Sequence, residues 1–213
     1  MTFDEMVAEV YTLTNRPDLE AETKQAVRAS TLKMHTVDFF HRDIMQTQLV
    51  FTDSLYIQQI DTTIFDRWRA AAFIRKWDQT LNPQSLNPMT QPWLSDDQLV
   101  FFKPIDPNDI FDSYDILRQN VYYAAGDVLN LKSPVAFQTV LMGFYQLPDV
   151  AEGSYSSWIA IKQPFAIIYD ATSKIFATTG QQEQSRKYDD PKGGIVTDEI
   201  MRLKASFVLP NGY

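Results

Sequence analysis

The run Gln46-Thr47-Gln48-Leu49-Val50-Phe51, followed after a short polar break by Leu55-Tyr56-Ile57-Gln58-Gln59-Ile60, decides the fold class. Its β-branched and aromatic residues, with period-two stretches, read as strand. Before it the periodicity is helical. Thr2 with Glu5 three residues on is a capping-box pattern, and Phe3, Met6, Val7, Val10 and Leu13 then recur at helical spacing, predicting a helix from about 3 to 14. Pro17 breaks it, and Asp18 is expected to cap a second helix, so residues 3–36 read as a helical hairpin. The second helix, from 18 to about 36, has only a weak apolar stripe of Leu19, Ala26, Val27, Ser30 and Met34. It therefore reads as partly buried within one subunit.

Downstream, Trp68 to Trp77 reads as a strand. Residues 82–107 contain Pro83, Pro88, Pro92, Pro104 and Pro107, too many missing amide donors for regular structure, and are read as a long excursion. Asp106 to Leu117 reads as a short helix. Val121 to Ala124, Val128 to Leu131 and Ala136 to Tyr145 read as three strands of an antiparallel meander, with turns at Gly126-Asp127 and Lys132-Ser133-Pro134. Pro164 opens a helix that Gly180 stops, and two shorter helices follow, the last holding Ile200, Leu203 and Lys204. The expected fold is α+β: an N-terminal helical hairpin and C-terminal helices packed together, with an intervening antiparallel β region. In domain terms, residues 1–213 form one domain. Residues 1–43 and 160–206 make a helical lobe, 44–159 a β-rich lobe with the excursion 82–107, and 207–213 a C-terminal tail.

Composition removes function classes. The 213 residues carry 19 Lys+Arg against 27 Asp+Glu, a net charge of −8, with no basic block to neutralise nucleic-acid phosphates. With 45% hydrophobic and 13% aromatic residues the chain can bury a core. The absence of cysteine excludes disulfides, thiolate metal sites and a cysteine nucleophile. No apolar run approaches the ~20 residues of a membrane span, and acidic residues stand where a signal peptide would carry basic ones, so the chain is expected to be made and kept in the cytosol or assembled from it.

Catalytic motifs are not found. His35 and His41 are the only histidines, with Asp38 and Asp43 as the only nearby partners, and both read as structural or surface residues rather than metal ligands. Asp106, Asp109, Asp112 and Asp115 lack the alternation and central glycine of a calcium loop. They read as helix-terminal and solvated carboxylates, with a glycosidase-like pair as the alternative. No phosphate-cradling glycine motif occurs, and no cofactor is expected. In Gly153-Ser154-Tyr155-Ser156-Ser157-Trp158 a serine sits among small neighbours but has no positioned histidine, so the stretch reads as a flexible connection. Its Tyr155 and Trp158, with Trp93 of the excursion, are candidate subunit or tail contacts, since interfaces favour such residues. The apolar end of the chain, through Ile200, Leu203, Phe207, Val208, Leu209 and Tyr213, is a candidate docking segment. An acidic, aromatic-rich chain of this kind reads as an assembly component rather than an enzyme.

The order of four segments resembles the head-to-tail adaptor proteins of short-tailed bacteriophages, also called connector, tail tubular protein A or head completion proteins. They are the N-terminal helices around Leu13-Thr14-Asn15-Arg16-Pro17-Asp18, the connection from Ile105 to Tyr114, the strands from Val121 to Gly143-Phe144-Tyr145-Gln146-Leu147-Pro148, and the late helix from Pro164-Phe165-Ala166 through Gly180 to Tyr188. The proline-rich segment 82–107 and the apolar tail after Ser206 depart from the family pattern. The resemblance implies a virion protein of the neck, forming a homo-oligomeric ring, typically of 12 copies. Such a ring would bind the portal protein through the chain's C-terminal segment and the tail nozzle or tail tube on its other side. Genomic DNA would pass through its channel without specific binding, with no membrane involved. The alternatives are a virion-associated cell-wall or polysaccharide hydrolase, and a tail completion or binding module without catalysis.

Overall fold

The computed structural model describes residues 1–77, 99–109 and 119–207. The chain divides into two compact units, one of Met1–Asp43 with Leu147–Tyr213 and one of Ile44–Gln146. Residues 147–159, assigned by sequence to the β-rich lobe, thus group with the helices.

The first unit holds six α-helices among the described residues: α1 (Phe3–Thr14), α2 (Glu20–Thr36), α3 (Trp158–Lys162), α4 (Pro164–Thr178), α5 (Gln182–Asp189) and α6 (Ile195–Phe207). The Thr2–Glu5 capping box forms, with Glu5 N–H donating to Thr2 Oγ1 at 3.2 Å and Thr2 N–H donating to Glu5 Oε2 at 2.8 Å. Asn15 ends α1 in the left-handed region. Asp18 does not cap α2; its carboxylate takes both Arg16 N–H groups at 2.8 Å instead.

The expected N-terminal hairpin is overturned. α1 puts Phe3, Met6, Val7 and Val10 into a core shared with Ile159, Ile167, Ile168, Val196 and Leu203, while the buried face of α2 is met by α4. The reason is chemical. The buried positions of α2 include Thr23, Ser30, Thr31 and His35, and α4 supplies Asp170 as the partner of Ser30. A helix whose buried face is this polar looks weakly amphipathic in sequence yet is filled within its own chain.

The second unit is a six-stranded sheet of β1 (Ile44–Asp61), β2 (Trp68–Trp77), β3 (Leu99–Phe101), β4 (Lys103–Pro104), β5 (Val121–Ala125) and β6 (Val128–Gln146). It nearly closes into a barrel around Ile60, Ile74, Leu131, Phe137, Val140 and Met142. β6 is its spine. β1 runs along one side, and β2 and β5 flank different halves of the other, all antiparallel. The sheet is mixed, not antiparallel as expected, because β4 runs parallel to β5. Lys103 N–H donates to Asn120 O and Ile105 N–H to Tyr122 O, both at 2.9 Å, so the parallel ladder skips Pro104, which has no N–H to give. β3 and β4 also put regular structure at the end of the stretch read as an irregular excursion.

Lys132-Ser133-Pro134 is not a turn, because β6 runs through it. The three ladders on β6 give residues 133–136 no partner, so Pro134 sits where a ladder donor is not needed, and Ser133 Oγ accepts from Val135 N–H at 3.2 Å. The Gly126-Asp127 hairpin forms as read, with Gly126 at φ 61°. Of the expected helix over 106–117, a 3-10 turn at Pro107–Asp109 is seen, and residues 110–118 lie outside the described residues.

Candidate functional site

β1 is the most unusual surface of the second unit. Among the described residues it pairs only with β6, which leaves its other edge without a strand. Residues 52–57 are exposed without a break, so the alternation of a half-buried strand fails over six positions. That stretch holds Leu55, Tyr56 and Ile57, with Val50 just before it. Val50 and Tyr56 are 65% and 61% exposed. The strand has no Lys, Arg or Pro, the residues that normally blunt an edge, and its only charges are Asp53 and Asp61.

The exposed stretch is held in place by two opposed offsets between β1 and β6, which lie either side of the Leu55↔Phe137 pair. Buried Gln58 pins them. Its side-chain amide donates to Asp53 O at 2.7 Å and to Phe137 O at 3.0 Å, satisfying carbonyls that the irregular ladder leaves over.

In the helical unit the chain assembles a polar cluster that the sequence does not advertise. His35, in the last turn of α2, places Nδ1 2.9 Å from Asp43 Oδ1 and Nε2 2.9 Å from Ser157 Oγ. Asp43 ends a 3-10 turn at His41–Asp43, and Ser157 is the N-cap of α3, its Oγ accepting from Ala160 N–H at 3.3 Å. Trp158 Nε1–H donates to the same Asp43 oxygen at 2.7 Å, and its ring meets His35 and Phe40 edge-on. A carboxylate oxygen accepts, so an Nδ1–H of His35 would point at Asp43, with Nε2 on the Ser157 side of the ring. This corrects the reading of the 153–158 stretch as lacking a positioned histidine. Ser157 also lines a cleft of about 690 Å³, together with residues 1–5, 152–156 and Ile161.

A third cluster joins α2 to α4. Asp170, whose side chain is 2% exposed, receives Ser30 Oγ–H and Lys174 Nζ at 2.7 Å and is also paired with Lys33. Burial pushes its carboxyl up, but the hydrogen bonds from Lys174, Lys33 and Ser30 outweigh burial and hold it below the ordinary carboxylate value. Among the described residues no three His, Asp or Glu side chains converge as metal ligands, and no helix is long and apolar enough to cross a membrane.

The residues singled out in sequence are scattered by this architecture. Tyr155 is tied inside the helical unit, its hydroxyl 2.7 Å from Thr31 Oγ1 and its ring against Phe3, and Trp158 is engaged with Asp43 as described. Leu203 is fully buried and Ile200 packs against the same core, so these two fasten α6 to its own unit. Phe207 is the last residue of α6, while Trp93, Val208, Leu209 and Tyr213 lie outside the described residues. The β1 surface was missed. Its signal was present as Leu55-Tyr56-Ile57, three consecutive large apolar residues where an alternating strand would place one to water. No family model matches the chain, and no curated protein matches it.

Proposed function

We propose that the chain is a head-to-tail adaptor subunit of a short-tailed phage, one copy of a ring between the portal and the tail through which the genome passes. The observation that carries this reading is β1, an 18-residue strand whose far edge pairs with no strand among the described residues, with an unbroken exposed stretch and no Lys, Arg or Pro. A monomer with such an edge invites uncontrolled pairing, whereas a ring subunit covers it with the next copy. Repeated head-to-tail contact of this kind closes into a ring when the rotation per copy divides the circle. The net charge of −8 supports a conduit for DNA, because an acidic surface gains nothing from counterion release and lets the polymer slide. The order of segments that resembles the adaptor family is the second support.

The test is native mass spectrometry of the purified chain, alone and mixed with portal rings of the phage that encodes it. Addition of a fixed number of copies per portal ring is expected, and the double variant Val50→Lys, Tyr56→Lys should fold but fail to complete the set. Wild-type protein that is folded by circular dichroism and never joins the portal ring would refute the proposal. A monomer in the absence of portal fits a subunit that joins late.

A further inference from the structure

We propose that Ser157 is an activated nucleophile, and that the cleft it lines accepts small, uncharged carboxylic esters, which the chain hydrolyses through an acyl-serine. The inference is independent of the adaptor reading.

Four features of the helical unit support it. The contacts Asp43 to His35 and His35 to Ser157, each 2.9 Å, use opposite nitrogens of one imidazole, so the ring bridges acid and hydroxyl in the order that general-base activation of serine requires. All three groups are buried, and of them only Ser157 reaches the wall of the cleft. Trp158 fixes Asp43 from a second direction, and Ser157 Oγ accepts from the amide of Ala160 and also meets the Tyr155 hydroxyl, so the serine oxygen is held in place beside Nε2. Finally, Asp43 Oδ2 is buried without a hydrogen-bond partner. A carboxylate kept only for structure would normally satisfy both oxygens. One held by a single oxygen against an imidazole suits a group whose task is to stabilise the imidazolium formed in a reaction.

The cleft sets the substrate class. Asp4, Glu5 and Glu152 line it, but Glu152 is paired with Lys24 and Arg28 and the Met1 ammonium also lies in the wall, so the cleft favours no ionic ester and suits a small uncharged one. In the first half-reaction Ser157 Oγ bonds to the ester carbonyl carbon and passes its proton to His35 Nε2. The carbon–oxygen bond to the alcohol breaks, and the departing oxygen takes that proton. In the second, water attacks the acyl-serine, gives a proton to Nε2, and the same proton returns to Oγ as the carboxylic acid leaves. Atoms and charge balance with water as the only co-reactant.

The full chain should be treated with a fluorophosphonate probe, mapped by mass spectrometry, and assayed for p-nitrophenyl acetate hydrolysis across pH. We expect one adduct, on Ser157, forming ~100-fold faster than on other serines, the scale of general-base assistance. Its rate should rise with pH and then level off, the profile of a nucleophile that works through a general base. His35→Gln should reduce the rate about as much. Ser157→Asn, which keeps a side-chain oxygen to cap α3, should abolish adduct and turnover with the circular dichroism spectrum unchanged. Folded wild type that acquires no adduct on Ser157, or labels its serines indiscriminately, overturns the proposal, as does a folded His35→Gln that labels at the wild-type rate. Should His35→Gln fail to fold, the labelling site and pH profile of the wild type decide.

Discussion

Gly143 shows how narrowly one residue can be specified. A β carbon there would lie 2.3 Å from Phe73 Cε1, because the β2–β6 register shifts between Ala71 and Phe73 and brings that ring over the β6 backbone. Gly143→Ala therefore has to displace the ring, and is expected to cost about 1–3 kcal/mol by thermal or urea denaturation. Adding Phe73→Ala to Gly143→Ala should make the glycine substitution nearly silent, and a single variant that melts with the wild type would show the approach is looser than this. Sequence gives Gly143 no such role, since a glycine within an apolar run reads only as a weak point in a strand. The Asp43–His35–Ser157 contacts are hidden for a related reason: 122 residues separate His35 from Ser157, and no spacing rule spans that distance. What one-dimensional reading does capture at this scale is local hydrogen bonding, as at Thr2 with Glu5 and the left-handed Gly126.

Between elements, the interaction that replaces the expected hairpin is the Asp170 clamp of α2 on α4. The folded carboxyl lies below its ordinary value, so the unfolded chain binds the proton first as the solution is acidified. The clamp's contribution is therefore complete above about pH 4 and is lost as pH falls through the lower folded value. Lys33 and Lys174 are 41% and 37% exposed, so solvent screens part of the attraction. Asp170→Asn is expected to lower stability by about 1–3 kcal/mol at neutral pH. Urea midpoints of the two proteins should converge as pH falls through the lower folded value. A constant difference across that range would mean the clamp acts by shape rather than charge. Helices whose apolar repeat is strong, such as Pro164–Thr178, are legible in sequence because burial follows period 3.6. α2 and β6 are not. α2 hides Ser30 against Asp170 and buries Thr23, Thr31 and His35 as well, and β6 passes through Lys132-Ser133-Pro134, a turn-like tripeptide whose missing amide falls where no ladder bond is required.

At the scale of the whole molecule, segments from before residue 44 and after residue 146 make one helical unit, and the six strands lie between them in sequence. The class α+β was accessible from periodicity, but the arrangement was not: parallel pairing at Lys103–Pro104 and the partner of α2 depend on contacts between distant segments. The aromatics at 155 and 158 make contacts within their own helical unit, while Val50, Leu55, Tyr56 and Ile57 face solvent. The adaptor reading assigns that surface to a neighbouring copy. Cryo-electron microscopy of the intact particle at side-chain resolution tests this most directly. The expected result is a ring of this chain at the neck, with residues 50–57 of each copy buried against the next. A location elsewhere in the particle, or a neck ring in which Tyr56 still faces solvent, would contradict it.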